Sequence, residues 1–373
     1  MSLRKKQPEE NEFGPLLTCQ AFGGQTHLTR VLISMGCFRK YDYCPKCGSA
    51  CSLRIKTSKK ALKTGEVKEY NETSWRCSSW KCDITLSLTD DTIWSTIKDR
   101  TLFVFVVNAF INRSTTDSIV NNTGCKRSTA EKYMILIKNA LHLDVEESLN
   151  GLLLGGDEVS VQVDESCVFS RKYNVGRELR TTKHGWVFGI VENKPDGLLF
   201  LQMVEKRDRL TLKGLIQQHV KEGTTVFSDS WPSYDGVDKI NGYQHFKANH
   251  KEYFVEVQAE KLPLEEEQRM MQEAVRGFEV DDDNAFDSED RQPERLIVVH
   301  TQKIERVWEE VKRGLYRQPL RLLKRNLNVE MFRFNKLRAN MSFSERRKIV
   351  IQTVAKFQGE IEKLKVTNYP IYG

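Results

Sequence analysis

The residues best placed to do chemistry are carboxylates at the ends of strand-like segments. In "VSVQVDESCVF" (159–169), Val159, Val161 and Val163 alternate with Ser160, Gln162 and Asp164, the period of a strand with one aliphatic side. Asp164 and Glu165 stand where that strand should run out. A second strand-like run, "TTVFSDSW", ends in the same way on Asp229. A third carboxylate lies on the helical stretch "HTQKIERVWEEVKRGL", where Ile304, Val307, Trp308 and Val311 form the apolar face. Glu305 borders that face, whereas Glu309 and Glu310 fall nearer solvent. Three converging carboxylates are what two Mg2+ ions need at a phosphodiester, where one activates the attacking oxygen and the other stabilises the leaving oxygen. Asp164, Asp229 and Glu305 are the expected set, and Glu165 reads as a solvated neighbour.

A second chemical constellation is made of sulfur. The chain has nine cysteines, and Cys44 and Cys47 in "CPKCGS" are followed by Cys77 and Cys82 in "WRCSSWKC". Two short cysteine loops joined by a hairpin can supply the tetrahedral thiolate set that one structural Zn2+ prefers. Cys51 is a competing ligand.

Elements must position these groups. After residue 157 the order is three strands, the helix "TLKGLIQQHV" and the strand of Asp229, which is how an RNase H-like α/β domain begins. In that fold the first and fourth strands are neighbours, so Asp164 and Asp229 meet at one end of a sheet. Upstream, residues 1–40 form an N-terminal segment with a short helix, 41–90 the zinc ribbon, and 91–150 a helical helix-turn-helix region. Residues 91–111 read as one helix. "TTDSIVNN", Gly124 and "STAEKYMILIKNAL" read as helix, turn and second helix, capped by Ser128 or Thr129. That hairpin leaves Lys126, Arg127 and Lys132 for DNA. The catalytic domain extends over 157–318 and a basic helical tail over 319–373. The expected architecture is thus α+β: zinc ribbon, helix-turn-helix, and a mixed sheet flanked by helices.

Charge adds a partner. Residues 256–295 hold 14 Asp/Glu against 5 Lys/Arg, a net of −9, so the rest of a chain with overall charge +7 carries +16. The acidic stretch reads as an insertion, and the basic remainder fits a polyanion such as nucleic acid. The longest apolar run, "LFVFVV", is far too short for a membrane span, and "MSLRKKQPEENEF" has no apolar core of a signal peptide.

The blocks "CPKCGS…WRC", "VDES", "SRKYNVGRE", "FSDSWPSY", "FKANHKEYFV" and "HTQKIERVW" together resemble the Merlin superfamily of DNA transposases, which is related to bacterial insertion-sequence transposases. The resemblance spans nearly the whole chain. It departs from the family at "HTQ", which stands where the family has "HTN", at the wide second cysteine pair and at the acidic insertion.

The resemblance implies a DDE-type cut-and-paste enzyme with Asp164, Asp229 and Glu305 as catalytic metal ligands for two Mg2+ (or Mn2+) ions. It also places His250 and His300 near the metals or the DNA. Lys172, Arg177 and Arg180, in the basic loop after the first strand, are expected to clamp DNA backbone. Two transposon ends and a target imply at least a homodimer, and the activity implies a nuclear location. Rival readings are a domesticated, non-catalytic DNA-binding protein and a metal-dependent nuclease without strand transfer.

Overall fold

A computed structural model describes residues 25–61, 67–89, 92–97, 99–156, 158–168, 185–248, 255–256, 296–297, 301–315 and 320–361. These divide into two compact units. One takes the described residues up to Glu147 and those from Lys336 onward, and the other runs from Ser148 to Asn335.

The first unit opens with helix α1 (Gln25–Ser34) and a three-stranded antiparallel sheet of β1 (Cys51–Ala61), β2 (Val67–Cys77) and β3 (Thr85–Ser87). Cys51 pairs with Cys77 at the base of the hairpin, which brings the two cysteine loops to one end of the sheet. Helices α2 (Arg100–Ile111), α3 (Thr116–Thr123) and α4 (Arg127–Leu149) follow. The single helix expected over 91–111 is instead a 3-10 turn at Ile93–Ser95 and then α2, because the Asp99 carboxylate caps the new N-terminus by accepting from the Leu102 N–H at 2.9 Å. The core is aromatic: Trp94 lies 5.2 Å from Phe38 and 5.1 Å from Phe103, and Phe103 lies 5.6 Å from Tyr133. Helix α3 ends on Gly124, whose φ of +66° a side chain would strain. Helix α4 then begins at Arg127, so the expected caps Ser128 and Thr129 fall within its first turn. Helix α8 (Phe343–Lys356) is fixed by a capping box between Ser342 and Glu345 and packs against α2, and the short α9 (Gln358–Ile361) follows it.

The second unit is built on a five-stranded mixed sheet. Its strands are β4 (Val161–Cys167), β5 (Trp186–Glu192), β6 (Leu199–Val204), β7 (Thr225–Asp229) and β8 (Gln244–Ala248). Their order is β6-β5-β4-β7-β8, with β4, β5 and β6 antiparallel and β4, β7 and β8 parallel. Helix α5 (Arg209–His219), capped by Asp208, connects β6 to β7 and buries Leu212, Leu215 and Ile216 with Val161, Val163 and Val226. A separate antiparallel pair, β9 (Val255–Glu256) and β10 (Leu296–Ile297), precedes helix α6 (Gln302–Leu315). The whole is α+β, and no helix among the described residues is long and apolar enough to cross a membrane.

Helix α7 (Leu323–Lys336) lies inside the segment expected as a basic tail, yet it is buried nearly all round, including Arg325, Asn326, Asn328 and Glu330. Its place is the free edge of the sheet. The Asn335 carboxamide accepts from the Leu199 N–H at 2.8 Å and donates to the Leu199 carbonyl at 2.9 Å, as a sixth strand would. The Met331 sulfur accepts from the Leu201 N–H at 3.0 Å.

Candidate active site and cysteine cluster

The parallel register of β4 and β7 pairs Val161 with Val226 and Gln162 with Phe227. Two residues further along, it brings Asp164 level with Asp229. Side chains alternate along a strand, so both carboxylates project from the face of Gln162, away from the core of Val161 and Val163. Helix α6 covers that face. It is pinned where the Ile304 N–H donates to Gln162 Oε1 at 3.0 Å, a fully buried contact. Glu305, in the first turn, is oriented by Thr301, whose hydroxyl donates to Glu305 Oε1 at 3.1 Å. One turn on, Trp308 Nε1 donates to Asp164 Oδ2 at 2.8 Å.

That indole needs space, and Gly189 provides it. Gly189 is the β5 partner of Asp164. A Cβ there would sit 2.9 Å from both Cζ2 and Cη2 of Trp308. Asp229 is held differently, accepting from the Trp231 N–H at 3.0 Å.

Asp164 feels both its burial and the neighbouring carboxylates. Burial pushes Asp164 up to about 6, the Trp308 donor opposes the rise, and the negative charges of Asp229 and Glu305 add to it. Glu165 departs from the expected solvated neighbour. It is half-buried on the opposite face, toward Tyr234, which is fully buried. Burial raises Glu165 to about 7, with Tyr234 and Arg207 opposing the rise and Asp164 and Asp229 adding to it. Burial, followed by the Glu165 charge, lifts Tyr234 well above its ordinary value. Neither Glu165 Oε1 nor the Tyr234 hydroxyl has a hydrogen bond of ordinary geometry.

A buried carboxyl raised by its neighbours' charge suits a hard divalent cation, which would offset both the like charge and the cost of burial at Asp164. Asp164, Asp229 and Glu305 are therefore the residues that could hold one. Gln162, Thr301, Trp308 and Gly189 support them and were not anticipated as such. Trp308 was legible only as a member of an apolar face.

In the first unit, the sulfurs of Cys44, Cys47, Cys77 and Cys82 all lie within 4.8 Å of one another, with Cys44 and Cys82 3.7 Å apart and Cys47 and Cys77 3.4 Å apart. Tetrahedral zinc with bonds of about 2.3 Å separates its sulfurs by roughly 3.8 Å, so the cluster fits that ion. Burial raises the Cys77 thiol to about 12, while hydrogen bonds from Ser49 hold Cys47 down at about 6. Such a mixed set becomes uniformly thiolate only around a cation. Cys51 stands outside the set.

Of the residues expected at DNA, Lys126, Arg127 and Lys132 are exposed at the start of α4. Arg127 pairs with Asp117 and reaches Glu131 at 3.4 Å, and Lys132 Nζ donates to the Thr96 carbonyl at 3.3 Å. Lys172, Arg177, Arg180, His250 and His300 lie outside the described residues.

Residues 152–266 match the protein family described as the ISXO2-like transposase domain. The matched segment carries β4 through β8 with Asp164 and Asp229, and it ends before Glu305. It supports a relationship to insertion-sequence transposases of the DDE type. No curated protein matches the chain.

Proposed function

We propose that the protein is a DDE-type DNA transposase of the Merlin kind. On this reading it binds transposon ends, cleaves them and joins the freed 3′-hydroxyl to target DNA. The observation that carries the reading is the register that sets Asp164 level with Asp229 on adjacent parallel strands, inside the segment that matches a transposase domain. The order β6-β5-β4-β7-β8, antiparallel in its first half and parallel in its second, supports an RNase H-like domain.

Two Mg2+ or Mn2+ ions held by the three carboxylates would supply charge stabilisation at the attacking and leaving oxygens. The chain's own residues set the stage. Trp308 fixes Asp164 through Oδ2, Thr301 fixes Glu305, and the Trp231 N–H fixes Asp229. Hydrolysis and strand transfer are both in-line displacements at phosphorus, by water and then by the 3′-hydroxyl, so a single site serves both without a covalent enzyme intermediate.

The cysteine cluster would hold one structural zinc and anchor the β1–β2 hairpin. Lys126, Arg127 and Lys132 would contact phosphates of the ends, with Arg127 giving up Asp117 to do so. Lys172, Arg177, Arg180, His250 and His300 are further candidates for DNA contacts. Synapsis of two ends would require at least a homodimer, and on the Merlin reading the protein would act in the nucleus.

The test is metal-dependent nicking and joining of DNA that carries the flanking terminal repeats. Asp164→Asn and Asp229→Asn should abolish both steps and leave DNA binding intact, and Glu305→Gln should do the same. Wild-type rates in either Asp variant would sink the assignment, while nicking without joining would favour a plain nuclease.

A further inference from the structure

Trp231 follows Asp229 by two residues and is 43% exposed, a large apolar surface left in solvent beside the carboxylates. Single exposed aromatics are ordinary, but this one is held in place. Its N–H is bonded to Asp229 Oδ1 at 3.0 Å. Pro232 follows it and confines its backbone to the extended region, with φ −66° and ψ 130°. The turn is then tied to the loop between β6 and α5. The Ser233 hydroxyl donates to the Arg207 carbonyl at 2.9 Å, and Arg209 Nη2 donates to the Pro232 carbonyl at 3.3 Å.

The same loop sends the Arg207 guanidinium between two indoles. It stacks on Trp186 at 3.6 Å from the ring centroid and approaches the Trp231 ring at 5.2 Å. The Arg207 charge also reaches Glu165, next to Asp164, so this group stands at the same end of the sheet as the carboxylates. A rigid indole, backed by a cation and left open to solvent, is poised to receive another π-face. Beside a site that processes DNA, the available π-face is a nucleobase. A paired and stacked base has both faces occupied, so the base must be unpaired or extruded.

We propose that Trp231, backed by Arg207 and Trp186, is a stacking platform for an unpaired base of the DNA strand whose phosphate lies at Asp164, Asp229 and Glu305. This inference rests on the transposase reading and adds to it the state of the strand at the moment of cutting. Arg207 serves twice, polarising the indole and neutralising phosphate.

The test measures binding of the full-length protein to two probes of equal length, a single-stranded oligothymidylate and an abasic strand with the same phosphates, in buffer containing a chelator of Mg2+. Trp231→Ala should weaken the oligothymidylate about 5- to 150-fold, the range spanned by base–aromatic stacking on alanine substitution, and leave the abasic probe unchanged. Trp231→Phe should retain most of the preference. If Trp231→Ala leaves the oligothymidylate affinity unchanged, or weakens both probes equally, the platform is overturned. Because the assay is independent of cleavage, loss of the platform leaves the carboxylate test of the transposase reading untouched. Failure of that test likewise leaves the stacking result to be judged by itself.

Discussion

Gly189→Ala would show whether the space opposite Asp164 governs the site. The added methyl would lie 2.9 Å from two carbons of the Trp308 indole and 3.2 Å from Leu201 Cδ2. Trp308 is 5% exposed and Leu201 2%, so neither has room to withdraw. Overpacking of this kind costs about 1–3 kcal/mol. In a unit of this size each kcal/mol lowers the melting temperature by about 2–4 °C. The indole must tilt, and the 2.8 Å bond from Nε1 to Asp164 lengthens or breaks. That bond holds Asp164 down against burial, so its loss raises the carboxyl further above about 6. A carboxyl must ionise to bind a cation, and the acidic limb of the pH–rate profile for metal-dependent nicking should therefore move to higher pH. Trp308→Phe removes both the donor and the clashing atoms. Alone it should shift the pH limb in the same direction. Combined with Gly189→Ala it should restore packing, so the two stability losses fall short of their sum by more than about 0.5 kcal/mol. Additive losses in thermal melts would refute the contact. An unmoved pH limb in Trp308→Phe would refute its hold on Asp164.

Three further outcomes follow from the geometry. Asp164 titrates higher in the folded chain than its ordinary 3.8, so its contribution to stability is complete below about pH 4 and is lost as pH rises through about 6. Asp164→Asn cannot ionise and should melt higher than wild type above pH 6 in metal-free buffer, by on the order of 1–2 kcal/mol after allowance for solvent screening, with the gap closing at pH 4. Metal analysis should return about one zinc per chain, lost in Cys44→Ser and Cys77→Ser but kept in Cys51→Ser, which stands outside the cluster. A zinc-free Cys51→Ser protein would redraw the ligand set. Asn335→Leu removes both bonds to Leu199, which is 1% exposed, and should cost about 2–4 kcal/mol in denaturant melts. A change below about 0.5 kcal/mol would mean that water replaces the carboxamide there.

The strand texture around Val161, Val163 and Asp164 is legible because aliphatic and polar residues alternate on β4, and the parallel register of β4 and β7 sets Asp164 level with Asp229. Glu165 reads as solvated in the sequence for a specific reason. The sheet is covered on both sides, as the burial of Val187 through Glu192 on β5 shows, so polarity no longer reports which face meets water. The sequence of helix α7, "LKRNLNVEMFRFNK", reads as tail because it has charged and amide residues where a core helix would have leucine. Its burial depends on an edge strand more than a hundred residues earlier, which no local pattern encodes. The same holds for Gly189 and Trp308: a glycine in a strand and a tryptophan in a helix acquire meaning only once the register sets them face to face. Helix starts failed at the scale of one turn, where Asp99 won the cap and Ser128 and Thr129 did not.

The pairing of β9 with β10 has a practical consequence. Glu256 faces Leu296 and Val255 faces Ile297 in an antiparallel ladder, so Glu256 and Leu296 stand side by side. With both ends fixed side by side, the length of whatever lies between them carries little thermodynamic weight, about 0.6 kcal/mol for each doubling. The ladder is thus a port for engineering. A fluorescent domain, a ligand-gated module or a programmable DNA-binding module can be spliced between Glu256 and Leu296 while the ladder that frames the splice is kept.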